Sequence, residues 1–202
     1  EKIYGYIFNY TDYWLHPIHM MDTNKNQDSE QKYIYFSQDL FVLKSYFTSL
    51  KSHIDNDKLA KEIMANPVKI ENSPYHTNYE DFDLQASEGS EALKLLTLIN
   101  EDIAAPMNLQ IDGYWAHVHL PLESTQRHNH NGSNRSDAVS WVYYVKVPER
   151  AGDLVFHLHD LVDPAIVKPK EGLLVLFPSY LDHAVTKNLS TGVRISISGN
   201  LL

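Results

Sequence analysis

From Leu109 onward the spacing of apolar residues changes, and this change limits the fold more than any motif does. Before it, apolar residues recur at every third or fourth position. After it they alternate, which puts successive side chains on opposite faces of a strand. Ile111 to Leu120 places Trp115, His117 and His119 on one face. Ala138 to Val147 reads as a long strand, Asp153 to His159 as a shorter one, and Leu173 to Phe177 as a buried one. Val193 to Ser198 sets Arg194, Ser196 and Ser198 on one face and Val193, Ile195 and Ile197 on the other. Pro148, Gly152, Pro164, Pro169 and Gly172 separate these runs, and Asn131-Gly132 opens a turn-rich loop reaching Asp137. Short strands punctuated in this way predict an antiparallel, double-stranded barrel from about Ile111 to Asn200.

The first half reads differently. Ile3 to Tyr10 has the composition of an edge strand, and Asp22 to Lys32 is polar enough for a loop. Three helices are expected. One begins at Ser37 and carries Leu40, Leu43, Phe47 and Leu50. A second is capped by Asp55 or Asn56, carries Leu59, Ile63 and Met64, and stops near Pro67. The third begins near Ser87 or Ser90 and carries Leu93, Leu96, Ile99 and Ile103, with Pro106 beyond its end. Asn66 to Asp83 reads as a loop. The helices are expected to lie against the outside of the sheet. With 202 residues the chain is long enough for one domain, in which 1–108 is a helical support and 109–202 the β core.

Composition excludes several classes. The sequence has no Cys, which rules out disulfides, thiol catalysis and thiolate metal sites and fits a reducing cytoplasm. A net charge of −9 disfavours nucleic acid and anionic membranes as partners. No apolar run approaches the ~18 residues of a membrane span, and Glu1 to Tyr6 has no signal-peptide character. The expected location is therefore intracellular. Oligomeric state is not legible.

The chemistry concentrates between Arg127 and Arg194. In a strand, His128 and His130 aim two imidazoles at one point, and His183, from a later strand, can supply a third. Neutral imidazoles suit Fe, Cu, Ni and Zn. If His130 is not the third ligand, Asp137 and Asp160 are the nearest acids; His130 is preferred because it alone has the i+2 relation. Eleven histidines make chance pairs common. His157 with His159 is such a pair and is read as structural, as are His16 and His19 around Pro17. Trp115, His117 and His119 either face the pocket as supporting groups or pack on the sheet. Arg194, beside Ser196 on an inward face, is a carboxylate receptor by chemistry.

In order, the chain reads His128-Asn129-His130, Val142-Tyr143-Tyr144-Val145, Gly152 to Phe156, Pro169 to Pro178, His183, and Arg194-Ile195-Ser196. This series resembles the 2-oxoglutarate- and Fe(II)-dependent oxygenases of the prolyl-hydroxylase-like branch. It is most similar to a bacterial and phage subgroup with a His-x-His motif, which implies expression in a bacterial host. The resemblance covers roughly Ile111 to Asn200. It implies a double-stranded β-helix (jelly-roll, cupin-like) core and Fe(II) held by His128, His130 and His183. It also implies 2-oxoglutarate and O₂ as co-substrates, with Arg194 gripping the distal carboxylate, helped by Tyr144 and Ser196. The implied reaction is hydroxylation of an unactivated C–H in a prolyl or other amino-acid or peptide substrate. One departure stands out: His130 occupies the position of the superfamily's carboxylate ligand. A cupin-type three-His dioxygenase that uses no 2-oxoglutarate explains His130 but gives Arg194 no task. A non-catalytic metal- or sugar-binding jelly roll is the third reading.

Overall fold

The computed structural model describes residues 31–35, 41–45, 53–65, 80–82, 84, 86–130, 138–157 and 164–202. Two antiparallel sheets face each other. The larger has seven strands in the order β1-β2-β9-β6-β11-β4-β3, and the smaller has four in the order β5-β10-β7-β8. The large sheet comprises β1 (Gln31–Tyr35), β2 (Phe41–Ser45), β3 (Glu80–Phe82), β4 (Ile111–His119), β6 (Val139–Lys146), β9 (Leu174–Pro178) and β11 (Arg194–Leu201). The small sheet comprises β5 (Thr125–His128), β7 (Leu154–Phe156), β8 (Ala165–Val167) and β10 (His183–Val185). This is the double-stranded β-helix that the alternating half predicts.

The large sheet is buried on both faces, and alternation decides which residue goes where. Trp141, Tyr143 and Val145 of β6 and Ile195 and Ile197 of β11 face two helices, α1 (Asn56–Ala65) and α2 (Glu91–Ile99). Leu59, Ile63, Leu95, Leu96 and Ile99 meet them from the helix side. Val142 and Tyr144 face inward and join Leu154, Phe156, Val175 and Phe177 between the sheets. Ser90 caps α2 by accepting from the Leu93 N–H at 3.1 Å. The Glu62 carboxylate of α1 accepts from the Glu91 and Ala92 N–H groups of the same helix end, which fixes one helix against the other.

Two of the three predicted helices are present. The first is not: residues 41–45 form β2, which pairs with β1 and β9, with Leu43 opposite Leu176. The Leu40/Leu43/Phe47 spacing suits a helix, but Phe41-Val42-Leu43 also suits a strand, and an available sheet edge decides between them. Gln31 and Lys32 belong to β1, and Glu80–Phe82 pairs with β4, so both loop expectations were too long. The region before 109 thus contributes strands as well as helices. In α2, Leu93 is 38% exposed and Leu95 takes its place in the core. After Ile99 the chain continues as a π-helical turn, Asn100–Ala104, and a 3-10 turn, Ala105–Met107, that accommodates Pro106. Expectations for Ile3 to Tyr10, His16, His19, Phe47, Leu50, Pro67, the 131–137 loop, His159 and Asp160 lie outside the described residues.

One glycine sets the depth of the core. A Cβ on Gly199 would collide with the Gly113 carbonyl and lie 2.5 Å from the Trp141 ring. Neither the backbone nor a ring 1% exposed can yield cheaply. Gly199→Ala should therefore cost ~1–3 kcal/mol through overpacking. Scanning calorimetry should show a fall in Tm of ~2–4 °C per kcal/mol; an unchanged Tm would show that β4 and β11 can move apart freely.

Candidate metal centre

The site lies between the two sheets and is lined by strands of both. β5 and β10 pair antiparallel with His128 directly opposite His183, and the ring centroids are 4.3 Å apart. β5 ends at His128, so His130 does not reach the site as a strand neighbour. The Ser179 carbonyl accepts its backbone N–H at 2.8 Å, and its ring lies 5.2 Å from each of the other two. One ring nitrogen from each of His128, His130 and His183 falls within 4.8 Å of the others.

Hydrogen bonds set the tautomers. His128 Nδ1 is 2.8 Å from the Gln126 carbonyl and His183 Nδ1 is 2.8 Å from the Leu181 carbonyl. A carbonyl can only accept, so Nδ1 carries the proton in both and Nε2 is the ligand atom. Burial, then the neighbouring His128 and His130, hold His183 well below its ordinary pKa. Burial, then His128 and His117, push His130 down to about 3. His130 and His183 are therefore neutral at physiological pH, the state in which imidazole binds metal. Phe177 stands edge-on to His183 with centroids 4.8 Å apart and keeps that side apolar.

Asp182 is adjacent to the cluster but faces away from it. Its carboxylate accepts from Arg127 Nε at 2.9 Å and NH2 at 2.6 Å, and from Asn129 Nδ2 at 2.6 Å. Arg127 and Asn129 flank His128, and Asp182 precedes His183, so one carboxylate aligns the two strands that carry the imidazoles.

Deeper in, β11 and β4 bring Arg194 and His119 together. Arg194 is 1% exposed and donates from NH1 to His119 Nδ1 at 3.1 Å; His119 Nε2 lies 2.9 Å from Thr125 Oγ1. The guanidinium carbon is 5.3 Å from the centre of the fully buried Tyr144 ring. The Tyr144 hydroxyl and Arg194 Nε are buried without a hydrogen bond of good geometry. Burial raises the Tyr144 pKa, opposed by Arg194, and lowers that of Arg194, opposed by Tyr144. Burial, then Arg194 and His117, push His119 down to about 2. Among the described residues no carboxylate pairs with Arg194. Ser196 is buried between Tyr144 and His117 on the same interior. An orphaned Tyr144 hydroxyl beside a buried cation with an orphaned Nε–H fits a carboxylate, and three convergent imidazoles fit a divalent transition metal.

Comparison with known proteins agrees with this chemistry. Residues 157–200 match the profile of a family described as "Putative 2OG-Fe(II) oxygenase". Over this C-terminal segment the chain is similar to the 2-oxoglutarate- and Fe(II)-dependent oxygenases. No curated protein matches it by sequence. Among solved structures, a Pseudomonas putida prolyl-4-hydroxylase aligns at 18% identity and TM-score 0.55, covering 72% of this chain and 81% of that one. A Trichoplax adhaerens prolyl hydroxylase, solved with a peptide fragment of the hypoxia inducible factor oxygen degradation domain, aligns at 14% and 0.60, covering 81% and 83%. The α-ketoglutarate-dependent epimerase SnoN of nogalamycin biosynthesis aligns at 14% and 0.60, covering 80% and 76%. At these identities the similarity concerns the fold.

The structure brings His128, His130, His183, Arg194, Tyr144 and Ser196 to one interior, as the sequence predicts. Asp137 and Asp160 lie outside the described residues. His157 gives its backbone N–H to the Asp182 carbonyl, which is a structural role. Sequence reasoning put Trp115, His117 and His119 on one face and left open whether that face lines the pocket; the structure puts it there, and adds a partner that the reasoning missed, since Trp115 Nε1 donates to His117 Nε2 at 2.9 Å. It also missed Thr125 and Asp182. The only signal for Asp182 was its position beside the distal histidine. Asp182→Ala should weaken divalent-metal binding ~10- to 100-fold, the usual effect of losing a group that orients ligands. Calorimetric titration with Fe(II) under argon measures this; unchanged affinity would show that the strands align without the carboxylate.

Proposed function

We propose that this protein is an oxygenase that uses Fe(II), 2-oxoglutarate and O₂ to hydroxylate an unactivated C–H. In this reading His128, His130 and His183 hold the iron, and Arg194, Tyr144 and Ser196 hold the distal carboxylate of the keto acid. The observation that carries it is the buried Arg194, which has no carboxylate partner among the described residues, beside an unsatisfied Tyr144 hydroxyl and on the same interior as three clustered imidazoles. A buried, unpaired cation costs several kcal/mol, and an anionic ligand offsets that cost.

Iron with the keto acid and O₂ supplies the oxidising chemistry, in which 2-oxoglutarate becomes succinate and CO₂ while one oxygen atom goes to the substrate. The chain's own residues provide the geometry. The carbonyls of Gln126 and Leu181 fix the metal-facing nitrogens of His128 and His183. Phe156 and Phe177 exclude water from the His183 side. Arg194 and Tyr144 grip the co-substrate far from its reacting end, and this contact orients it. Three imidazoles carry one negative charge fewer than two imidazoles and a carboxylate, so iron affinity should be lower than at a carboxylate-containing site.

Two of the similar structures are prolyl hydroxylases, one bound to a peptide. They support a prolyl or other amino-acid side chain, in a peptide or free, as the substrate class. SnoN is an epimerase, a reminder that one scaffold hosts several chemistries. The cupin-type reading draws on His130 alone. Arg194 separates the two, since a dioxygenase without 2-oxoglutarate has no use for it.

Succinate release from 2-oxoglutarate in the presence of Fe(II) tests the co-substrate directly; its absence would move the reading to the cupin-type or non-catalytic alternatives. His183→Ala should abolish stoichiometric metal uptake, measured by elemental analysis. Retained metal in that variant would place the site elsewhere. Arg194→Leu should leave metal binding intact and weaken 2-oxoglutarate binding by ~2–5 kcal/mol, as for removal of one partner of a buried charge pair. Anaerobic calorimetry reads both, and an unchanged affinity would make Arg194 purely structural.

A further inference from the structure

We infer that His119 is a positioning residue for the co-substrate receptor, a neutral acceptor that orients Arg194 without neutralising it. The inference rests on the proposed role of Arg194 as the carboxylate anchor. His119 and Arg194 face each other across β4 and β11 and are each 1% exposed. A guanidinium N–H can only donate, so the 3.1 Å contact makes His119 Nδ1 an acceptor. The proton of the neutral ring is then on Nε2, and Thr125 Oγ1 accepts it at 2.9 Å. The chain of bonds runs from Arg194 through His119 to Thr125, crossing from the large sheet to the start of β5.

The choice of histidine has an electrostatic consequence. An Asp or Glu at this position would orient the guanidinium equally well, but it would form a buried ion pair and compete with the incoming carboxylate for the same charge. A neutral imidazole satisfies one N–H and leaves the full positive charge for the ligand. Burial keeps the ring neutral and prevents it from adding a second cation.

The test uses Mn(II)-loaded protein, which does not turn over, and calorimetric titration with 2-oxoglutarate. His119→Leu removes the acceptor and should weaken binding about tenfold or more, from the loss of a charge-assisted hydrogen bond. His119→Asn returns a neutral acceptor near the Nδ1 position and should restore affinity to within a few-fold of the parent. His119→Asp returns an acceptor with a charge and should bind as weakly as the Leu variant or worse. Mn(II) affinity should be unchanged in all three, which a general loss of structure would not allow. Thr125→Val leaves His119 in place, removes only the acceptor of its Nε2–H, and should reduce affinity a few-fold; it serves as the second variant if the Leu form does not fold. Parent-like affinity in the Leu variant, or in the Thr125→Val variant where that is the one that folds, would overturn the inference and leave the role of Arg194 standing. Equal binding by the Asn and Asp variants would overturn the charge argument. No binding by the parent protein would overturn the proposed function and this inference with it.

Discussion

The constraint on which the rest of this structure depends is that β11 is enclosed on all sides. It lies between β4 and β6 in the large sheet, with helices on one face and the small sheet on the other. It therefore has no solvent-facing side on which to place polar residues. Its sequence still alternates strictly, with Ile195 and Ile197 toward the helices and Arg194, Ser196 and Ser198 toward the interior. A strand of this kind commits the inner face to polar chemistry, because a register slip of one residue would drive Arg194 into the helix interface. Gly199 completes the arrangement by allowing Trp141 to lie flat against the strand.

The two halves of the site are held by different means. Arg194 is on a central strand with ladder partners on both sides, so its position is set by the sheet. The imidazoles sit on short strands of three and four residues, and His130 lies beyond the end of one. Short ladders do not fix geometry alone. The Asp182 carboxylate, the Ser179 carbonyl and the i−2 carbonyls of Gln126 and Leu181 supply the missing restraint. An acid one residue from a histidine of the cluster is thus used to align strands, while the cluster itself is built from three imidazoles.

Legibility in the sequence followed the same division. The β half was readable because buried-and-polar alternation is enforced over whole strands, so Trp115, His117, Arg194 and Ser196 fell on the correct faces without any partner being known. The residues at 41–45 were not, because Leu40, Leu43 and Phe47 fit a helical stripe as well as Phe41 and Leu43 fit a strand, and only the edge of β9 decides. Likewise Glu80–Phe82 has no apolar alternation of its own and is a strand because β4 offers it an edge. Within the site, identity was legible and connectivity was not. His128 and His183 could be paired by chemistry, but the contacts from Asp182 to Arg127 and Asn129 and from His119 to Thr125 cross between strands whose order no local pattern reveals.

The charge inventory of the interior ties the two halves together. Among the described residues lining it there is no carboxylate; there are five histidines, one arginine, and hydroxyls from Ser, Thr and Tyr. His119, His130 and His183 are held neutral mainly by burial, and Arg194 is the one Lys, Arg, Asp or Glu among these lining residues. With a divalent ion added, the interior becomes strongly positive, more so than a site that retains an acidic ligand. A cavity like that is costly to leave unfilled and favours anions over neutral ligands. On the proposed reading a dicarboxylate meets both demands, with one end at the metal and the other at Arg194 and Tyr144. With His130 in place of an acidic ligand, that reading gives a stronger attraction for an anionic co-substrate and a weaker hold on the metal.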